Sequence, residues 1–246
     1  MCVAAIAWRA HPDWHLVAIG NRDEFHDRPA AAIERWPDDS GIIAGRDLRS
    51  GGTWLGVTGQ GRFALVTNLR GFGLPKHDKV SRGALVTDTL LAREPADLDA
   101  YNPFNLFVVD TDRADYVSNR PEAVRAHLAP GIYGLSNGPF DEPWPKALFL
   151  KARLLGWLQS PDNDTAPLME ALASEALPEV GLPADKPSDV PEPRDTPPFI
   201  RSPEYGTRCS TVVTVDSRGK GTIRERRFDA TATVSGETVL SFSWQL

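Results

Sequence analysis

Sulfur is scarce in this chain: two cysteines and two methionines in 246 residues. With cysteine only at positions 2 and 209, a disulfide framework is excluded as the organising device. Thiols kept reduced point to a cytoplasmic protein. The five histidines (His11, His15, His26, His77 and His127) show no metal spacing, and neither C-x-x-C nor H-E-x-x-H occurs, so the common zinc signatures are missing. A basic excess is missing too. Lys and Arg total 27 against 33 Asp and Glu, a formal net charge of −6, which argues against a general nucleic-acid binder. No apolar run approaches the roughly 18 residues of a membrane span. The opening "CVAAIAW" is short, has no basic residue before it and runs at once into Arg9, His11 and Asp13, which is not the plan of a secretion signal.

What the chain does have is strand signal at both ends and helix signal between. "VAAIAW", "HLVAIG", "TWLGVT" and "RFALVTN" are short apolar or alternating runs bounded by Gly, Pro, Asp and Asn, and the first two predict an antiparallel hairpin. "SRGALVTDTLLAR" predicts a helix capped by Ser81, with Leu85, Val86, Leu90 and Leu91 as its apolar stripe. Strands resume with "NLFVVD", "DYVSN" and "IYGLSN"; helices follow in "PWPKALFLKARLLGWL" and "TAPLMEALASEAL"; strands return with "CSTVVTVD", "GTIRERRF" and "ETVLSFSWQL". Eight prolines between positions 178 and 203 exclude regular pairing there, and this segment is expected to be an irregular, mobile loop near a pocket mouth. No composition break divides residues 1–246, so we expect one α+β domain of antiparallel sheets covered by helices.

Cys2 reads in two ways. It is a small hydrophobe at the start of a buried strand, or, after Met1 removal, a residue carrying both a thiol nucleophile and an α-amine base. The polar tetrad Asn21, Arg22, Asp23 and Glu24 ends the second strand, and hairpin pairing would bring it beside residue 2. Arginine favours a thiolate, and a carboxylate can hold an α-amine. Asn68, Asn137 and Arg208 also stand at strand ends, where asparagine amides can serve a developing oxyanion or simply make turns. Arg70, Lys76, Lys79 and Arg82 form a basic segment after Asn68, either a solvated loop or a greeting for an anionic group. Strand alternation puts Cys209 on the opposite face from Arg208, and so away from a site that Arg208 faces.

The stretches "MC", "NRDEF" with "DRP", "GGTWLG", "LVTNLRG", "NPFNL", "YGLSN" followed by "PWPK", and "YGTR" occur in one order from residue 1 to about 215. In these the chain resembles the NRDE family, the group of the transport and Golgi organisation protein 2. That family in turn resembles the choloylglycine hydrolase and penicillin V acylase branch of the N-terminal nucleophile hydrolases. The resemblance implies a four-layer αββα sandwich and a cysteine amidohydrolase or acyltransferase acting on a small amide or acyl substrate, with no cofactor required. It implies Cys2 as nucleophile, Arg22 and Asp23 as its partners, Asn68 at the oxyanion hole, and Asn137 and Arg208 beside it. The branch spaces the Arg and Asp as R-N-L-D whereas here they adjoin, which leaves Glu24 as an alternative to Asp23. The family also implies a second function: a non-catalytic haem or acyl-CoA and lipid binding and trafficking protein on the same fold. The expected partner is a small-molecule substrate or ligand, with no nucleic acid.

Overall fold

Alternation along the first strands decides the layering. The computed structural model describes residues 2–38, 40–95, 97–177 and 196–246. β1 (Cys2–His11) and β2 (Trp14–Phe25) form the expected antiparallel hairpin, joined by a two-residue turn. Successive side chains of a strand face opposite ways. Ala4, Ile6, Trp8, Leu16 and Ala18 therefore enter one apolar core, while Val3, Ala5, Ala7, Val17 and Ile19 enter another. Both faces are buried, so these strands are inner layers.

The hairpin belongs to a six-stranded sheet. β10 (Gly131–Leu135) flanks β1; β11 (Tyr205–Asp216), β12 (Lys220–Phe228) and β13 (Val234–Ser243) follow β2. A seven-stranded sheet runs in chain order through β3 (Ala30–Arg35), β4 (Ile42–Asp47), β5 (Leu55–Thr58), β6 (Arg62–Asn68), β7 (Phe104–Val109), β8 (Ala114–Ser118) and β9 (Val124–Leu128). Every strand pairing in the two sheets is antiparallel. Ile43, Phe63, Leu65, Phe107 and Val109 meet Ile6, Leu16 and Val213 between the sheets. Truncating one of these, Phe107→Ala for instance, removes roughly 3–5 kcal/mol.

Helices cover the outer faces. α1 (Arg82–Leu90) lies on the seven-stranded sheet through Leu85, Val86 and Leu90. Ser81 caps it, its hydroxyl accepting from the Gly83 N–H, and Leu91 stands at the C-cap with its side chain half-buried. α2 (Pro145–Leu158) and α3 (Ala166–Leu172) cover the six-stranded sheet through Leu150, Leu154, Trp157, Leu168 and Leu172. Pro145 opens α2, where a missing N–H costs nothing. The result is the expected α+β sandwich of helix, sheet, sheet and helix layers.

The strands β3, β4 and β9 carry weaker local signals than the others. β9, "VRAHL", is an edge strand that exposes Arg125 and His127, as edges that avoid further pairing expose polar side chains. Of the proline-rich segment, residues 178–195 lie outside the described residues. Its described end, residues 196–203, is irregular, yet Phe199 is buried against Phe228.

Candidate active site

The pairing register sets up the site. Cys2 lies opposite Arg22 in the β1–β2 ladder, and Arg22 lies opposite Cys209 in the β2–β11 ladder. Residues directly opposite share a face, and that face is the inter-sheet one, since Cys2 follows the alternation of Ala4 and Ile6. Cys2 is half-buried at the mouth of the sandwich.

Arg22 spans the two sheets. Its Nη2 donates to Asp47 Oδ2, 3.3 Å away at the end of β4, and lies 3.7 Å from Glu24 Oε2. Asp47 also accepts from Arg28 Nε at 2.6 Å. Those interactions, against the opposing cost of burial, hold the Asp47 carboxyl below its ordinary range. Arg22 Nη1 is buried and has no hydrogen-bond partner among the described residues.

Asp23, one residue on, faces the helix layer. It is buried opposite Thr207, whose Oγ1 donates to Asp23 Oδ1 at 2.7 Å, and Tyr205 Oη donates to its carbonyl at 2.8 Å. Burial raises the Asp23 pKa, while the charge of Lys146 pulls it down.

Asn137, fully buried just past β10, ties the ends of the sheets together. Its Oδ1 accepts from the Cys2 backbone nitrogen at 3.3 Å, and its Nδ2 donates to the Asn68 carbonyl at 2.7 Å. Ser136 Oγ donates to the Cys2 carbonyl at 3.0 Å. The 136–138 strap is fixed from the other sheet, where Asn105 Nδ2 donates to the Gly138 carbonyl at 2.8 Å and Thr67 Oγ1 to the Ser136 carbonyl. Asn68 ends β6 with its side chain exposed, beside this junction.

The structure thus gathers Cys2, Arg22, Asp23, Asn68 and Asn137. Arg208 is not gathered with them by its guanidinium, whose Nη1 donates to the His26 carbonyl at 2.7 Å and to that of Phe25 at 3.3 Å. The expectation that Cys209 faces away is corrected. Cys209 alternates with Val213 and Val215 and so shares the inter-sheet face of Arg22 and Cys2, while Arg208 lies in the register shift between Thr207 and Cys209 and sends its guanidinium elsewhere. Both thiols are free. With β2 between them they stand two strand spacings apart, about 10 Å, beyond the span of a disulfide.

Once Met1 is removed, Arg22 and the free α-amine are expected to bring the Cys2 thiol below its ordinary value. With Met1 in place, burial raises the thiol pKa and the Asp23 charge adds to that rise, while the N-terminal positive charge, the Asp23 backbone N–H and Arg22 oppose it.

Lys146 is the functional candidate that reading the sequence missed. It is fully buried, and its Nζ donates to Thr196 Oγ1 at 3.0 Å. Burial lowers its pKa, while Asp23 and Cys2 pull it up. The available signal was its place in "PWPK": a lysine in the first turn of a helix opposes the helix dipole, so something other than helix stability keeps it there. Among the described residues no group of three His, Cys, Asp or Glu could hold a metal ion, and no helix is long and apolar enough to cross a membrane.

Chemically, the arrangement offers a thiol, a backbone nitrogen that becomes an α-amine when residue 1 is removed, a buried carboxyl and a buried amine that influence one another, and a bridging amide. A family model described as Transport and Golgi organisation 2 matches residues 1–230. The transport and Golgi organization protein 2 homolog of Bos taurus is 33% identical over 256 aligned positions, covering 92% of this chain and 92% of that protein. The Homo sapiens homolog is 31% identical over 259 positions with the same coverage. Among solved structures, a mutant of the conjugated bile acid hydrolase from Clostridium perfringens superposes with a TM-score of 0.52 at 7% identity, covering 100% of this chain and 99% of that one; this is a likeness of fold, and a fold supplies no function by itself. By the family match over most of its length and by these two relatives, the chain belongs to the Transport and Golgi organisation 2 family.

Proposed function

We propose that the protein is a cysteine amidohydrolase or acyltransferase of the N-terminal nucleophile type, acting on a small amide or acyl substrate once Met1 is removed. The observation that carries this reading is the hydrogen bond from the Cys2 nitrogen to Asn137 Oδ1, made while the Cys2 side chain lies opposite Arg22. The bond fixes the orientation of the nitrogen that would serve as base. The free α-amine, with an ordinary pKa near 8, takes the thiol proton. Sγ attacks the substrate carbonyl, and the oxyanion is met by the Asn68 amide and a backbone N–H. The proton passes to the departing amine or alcohol, leaving a thioester on Cys2. Water or a second acceptor then releases the acyl group.

Asp23 and Lys146 support this chemistry from the helix face. Two buried opposite charges shield one another from the full cost of desolvation, and an ionised Asp23 favours a protonated amine nearby. Asn137 is a positioning residue, since both ends of its amide are already engaged.

Intact-mass measurement establishes whether Met1 is absent, and exposure to p-nitrophenyl acetate followed by peptide mapping finds the acetyl group. The expected result is acetyl confined to Cys2 in Met1-free protein and lost in Cys2→Ala. A protein that retains Met1, or acetylates its lysines no less than Cys2, overturns the reading. Retention of Met1 with binding of haem or acyl-CoA would favour a carrier instead.

A further inference from the structure

Arg82 opens α1 in a place that stability alone would not choose. It is a cation in the first turn of a helix, against the dipole, with no acidic residue in that turn. Its Nη1 donates to the Pro103 carbonyl at 3.2 Å, the same carbonyl that accepts the Leu69 N–H at 3.0 Å. The guanidinium is therefore anchored beside the Asn68–Leu69 peptide, and Asn137 joins Asn68 to Cys2. Packing fixes this position: a Cβ on Gly52 would stand 2.2 Å from the Gly83 carbonyl carbon, so the start of α1 rests directly on the loop between β4 and β5.

The neighbouring arginines have carboxylates to answer them. Arg22 and Arg28 both pair with Asp47 and both approach Glu24. Arg82 has no ion pair among the described residues. Burial lowers its pKa, with the nearby Cys2 and Glu24 acting in the other direction. Arg22 Nη1, a buried donor on the residue paired with Cys2, also lacks a partner among the described residues. In a chain of net charge −6, the surroundings of Cys2 hold Arg22, Arg28, Arg82 and Lys146 against Asp23, Glu24 and Asp47. The balance is positive where the protein as a whole is negative.

We propose that Arg82, with the Nη1 of Arg22, forms an anion subsite beside Cys2, so that the substrate carries a carboxylate or phosphate group close to its reacting carbonyl. This deepens the hydrolase reading and rests on Cys2 as the nucleophile. Two guanidinium groups, one buried and one partly buried, recognise a planar or tetrahedral oxyanion through charge-assisted hydrogen bonds. The subsite then orients the substrate, a contribution separate from attack by sulfur.

The test compares alkylation of Cys2 by iodoacetate, which is anionic, and iodoacetamide, which is neutral, with Cys209 resolved by peptide mapping. The ratio of the two rates cancels the thiolate fraction and reports the local preference for an anion. We expect the ratio to exceed that of free cysteine and to fall about tenfold or more in Arg82→Gln, the loss of one charged hydrogen bond. Arg82→Lys should retain part of it, and Arg153→Gln, on the outer face of α2 over Phe149, all of it. Protection by acetate but not inorganic phosphate identifies a carboxylate; the reverse identifies a phosphate. A ratio equal in wild type and Arg82→Gln overturns the subsite. Should Cys2 resist both reagents, a rise in Tm with acetate or phosphate that Arg82→Gln abolishes supports the subsite, and no rise overturns it. An Arg82-dependent ratio without acetylation of Cys2 by p-nitrophenyl acetate sinks the hydrolase reading and leaves the subsite standing; acetylation with an Arg82-independent ratio does the opposite.

Discussion

The Cys2 backbone nitrogen donates to the Oδ1 of Asn137, 3.3 Å away and 135 positions along the chain. One amide therefore orients the start of the first strand and, through Nδ2, the end of β6. Asn137→Ala leaves the Cys2 N–H and the Asn68 carbonyl without this partner in a partly buried place, at up to about 1–3 kcal/mol for each group that water does not reach. We expect a lower Tm and at least tenfold slower acetylation of Cys2. Acetylation at the wild-type rate would remove Asn137 from the mechanism.

Lys146→Met keeps the length of the side chain and deletes its charge. Replacing a buried ion by an apolar group of similar shape is often neutral or stabilising, but here it takes from buried Asp23 the positive charge of Lys146. Lys146 pulls the Asp23 pKa down against burial, so its removal raises that pKa further. The fraction of ionised Asp23 at a given pH then falls. The acid limb of the acetylation profile should move to higher pH, and every tenfold loss of rate at a fixed acid pH corresponds to about 1.4 kcal/mol of lost support for the carboxylate. An unmoved limb with normal folding would show that Lys146 only fills space.

Lys146 also carries a stability signature. Its folded-state pKa is depressed by burial, so between that value and its ordinary one the unfolded chain binds more protons than the folded one. Stability from this group therefore rises as pH increases through that window. Urea denaturation of wild type and Lys146→Met across alkaline pH should show the rise in the first and not in the second.

Arg22→Ala removes the cation that opposes the burial-driven rise of the Cys2 thiol. Alkylation by iodoacetamide should slow severalfold at neutral pH and converge with wild type once the solution is alkaline enough to ionise both. Asp47 keeps Arg28, so the fold should persist. A constant ratio of rates at every pH would mean that Arg22 acts on access rather than on ionisation.

Gly51 and Gly52 separate strain from displacement. Gly51 has φ +82° and open space around it, whereas a Cβ on Gly52 would collide with the backbone of Gly83. Gly51→Ala should cost about 1–2 kcal/mol of backbone strain and leave the iodoacetate preference of Cys2 unchanged. Gly52→Ala should move the start of α1, costing roughly 1–3 kcal/mol and lowering that preference. Equal effects on the preference would contradict the anchoring of Arg82 through Gly83.

The Cys2–Arg22 juxtaposition was legible because a short turn between two strongly apolar strands leaves antiparallel pairing as the natural outcome, and Ser81 was legible as a cap because its hydroxyl acts on the next turn. Both are local rules. Lys146 was not legible, since nothing near it in the chain tells that α2 lands over Asp23; that follows from packing between layers. Cys209 was misread because its face was taken from Arg208, which lies in a register shift, whereas Cys209 keeps step with Val213 and Val215. Arg208 stands at the expected place on its strand, but its long side chain bonds to carbonyls at the end of β2, and strand position does not dictate where a long, flexible side chain carries its donors.

The span between Cys2 and Asn137 is also an interval of time. β1 gains its second neighbour, β10, only when residues 131–135 pair with it, and the nitrogen of Cys2 finds its acceptor only two residues later. At roughly 5–20 residues synthesised per second, the start of the chain waits on the order of ten seconds on the ribosome before that partner emerges. On the hydrolase reading, excision of Met1 belongs to that interval, and maturation of the nucleophile is timed by translation, ahead of the closure that would later bind it.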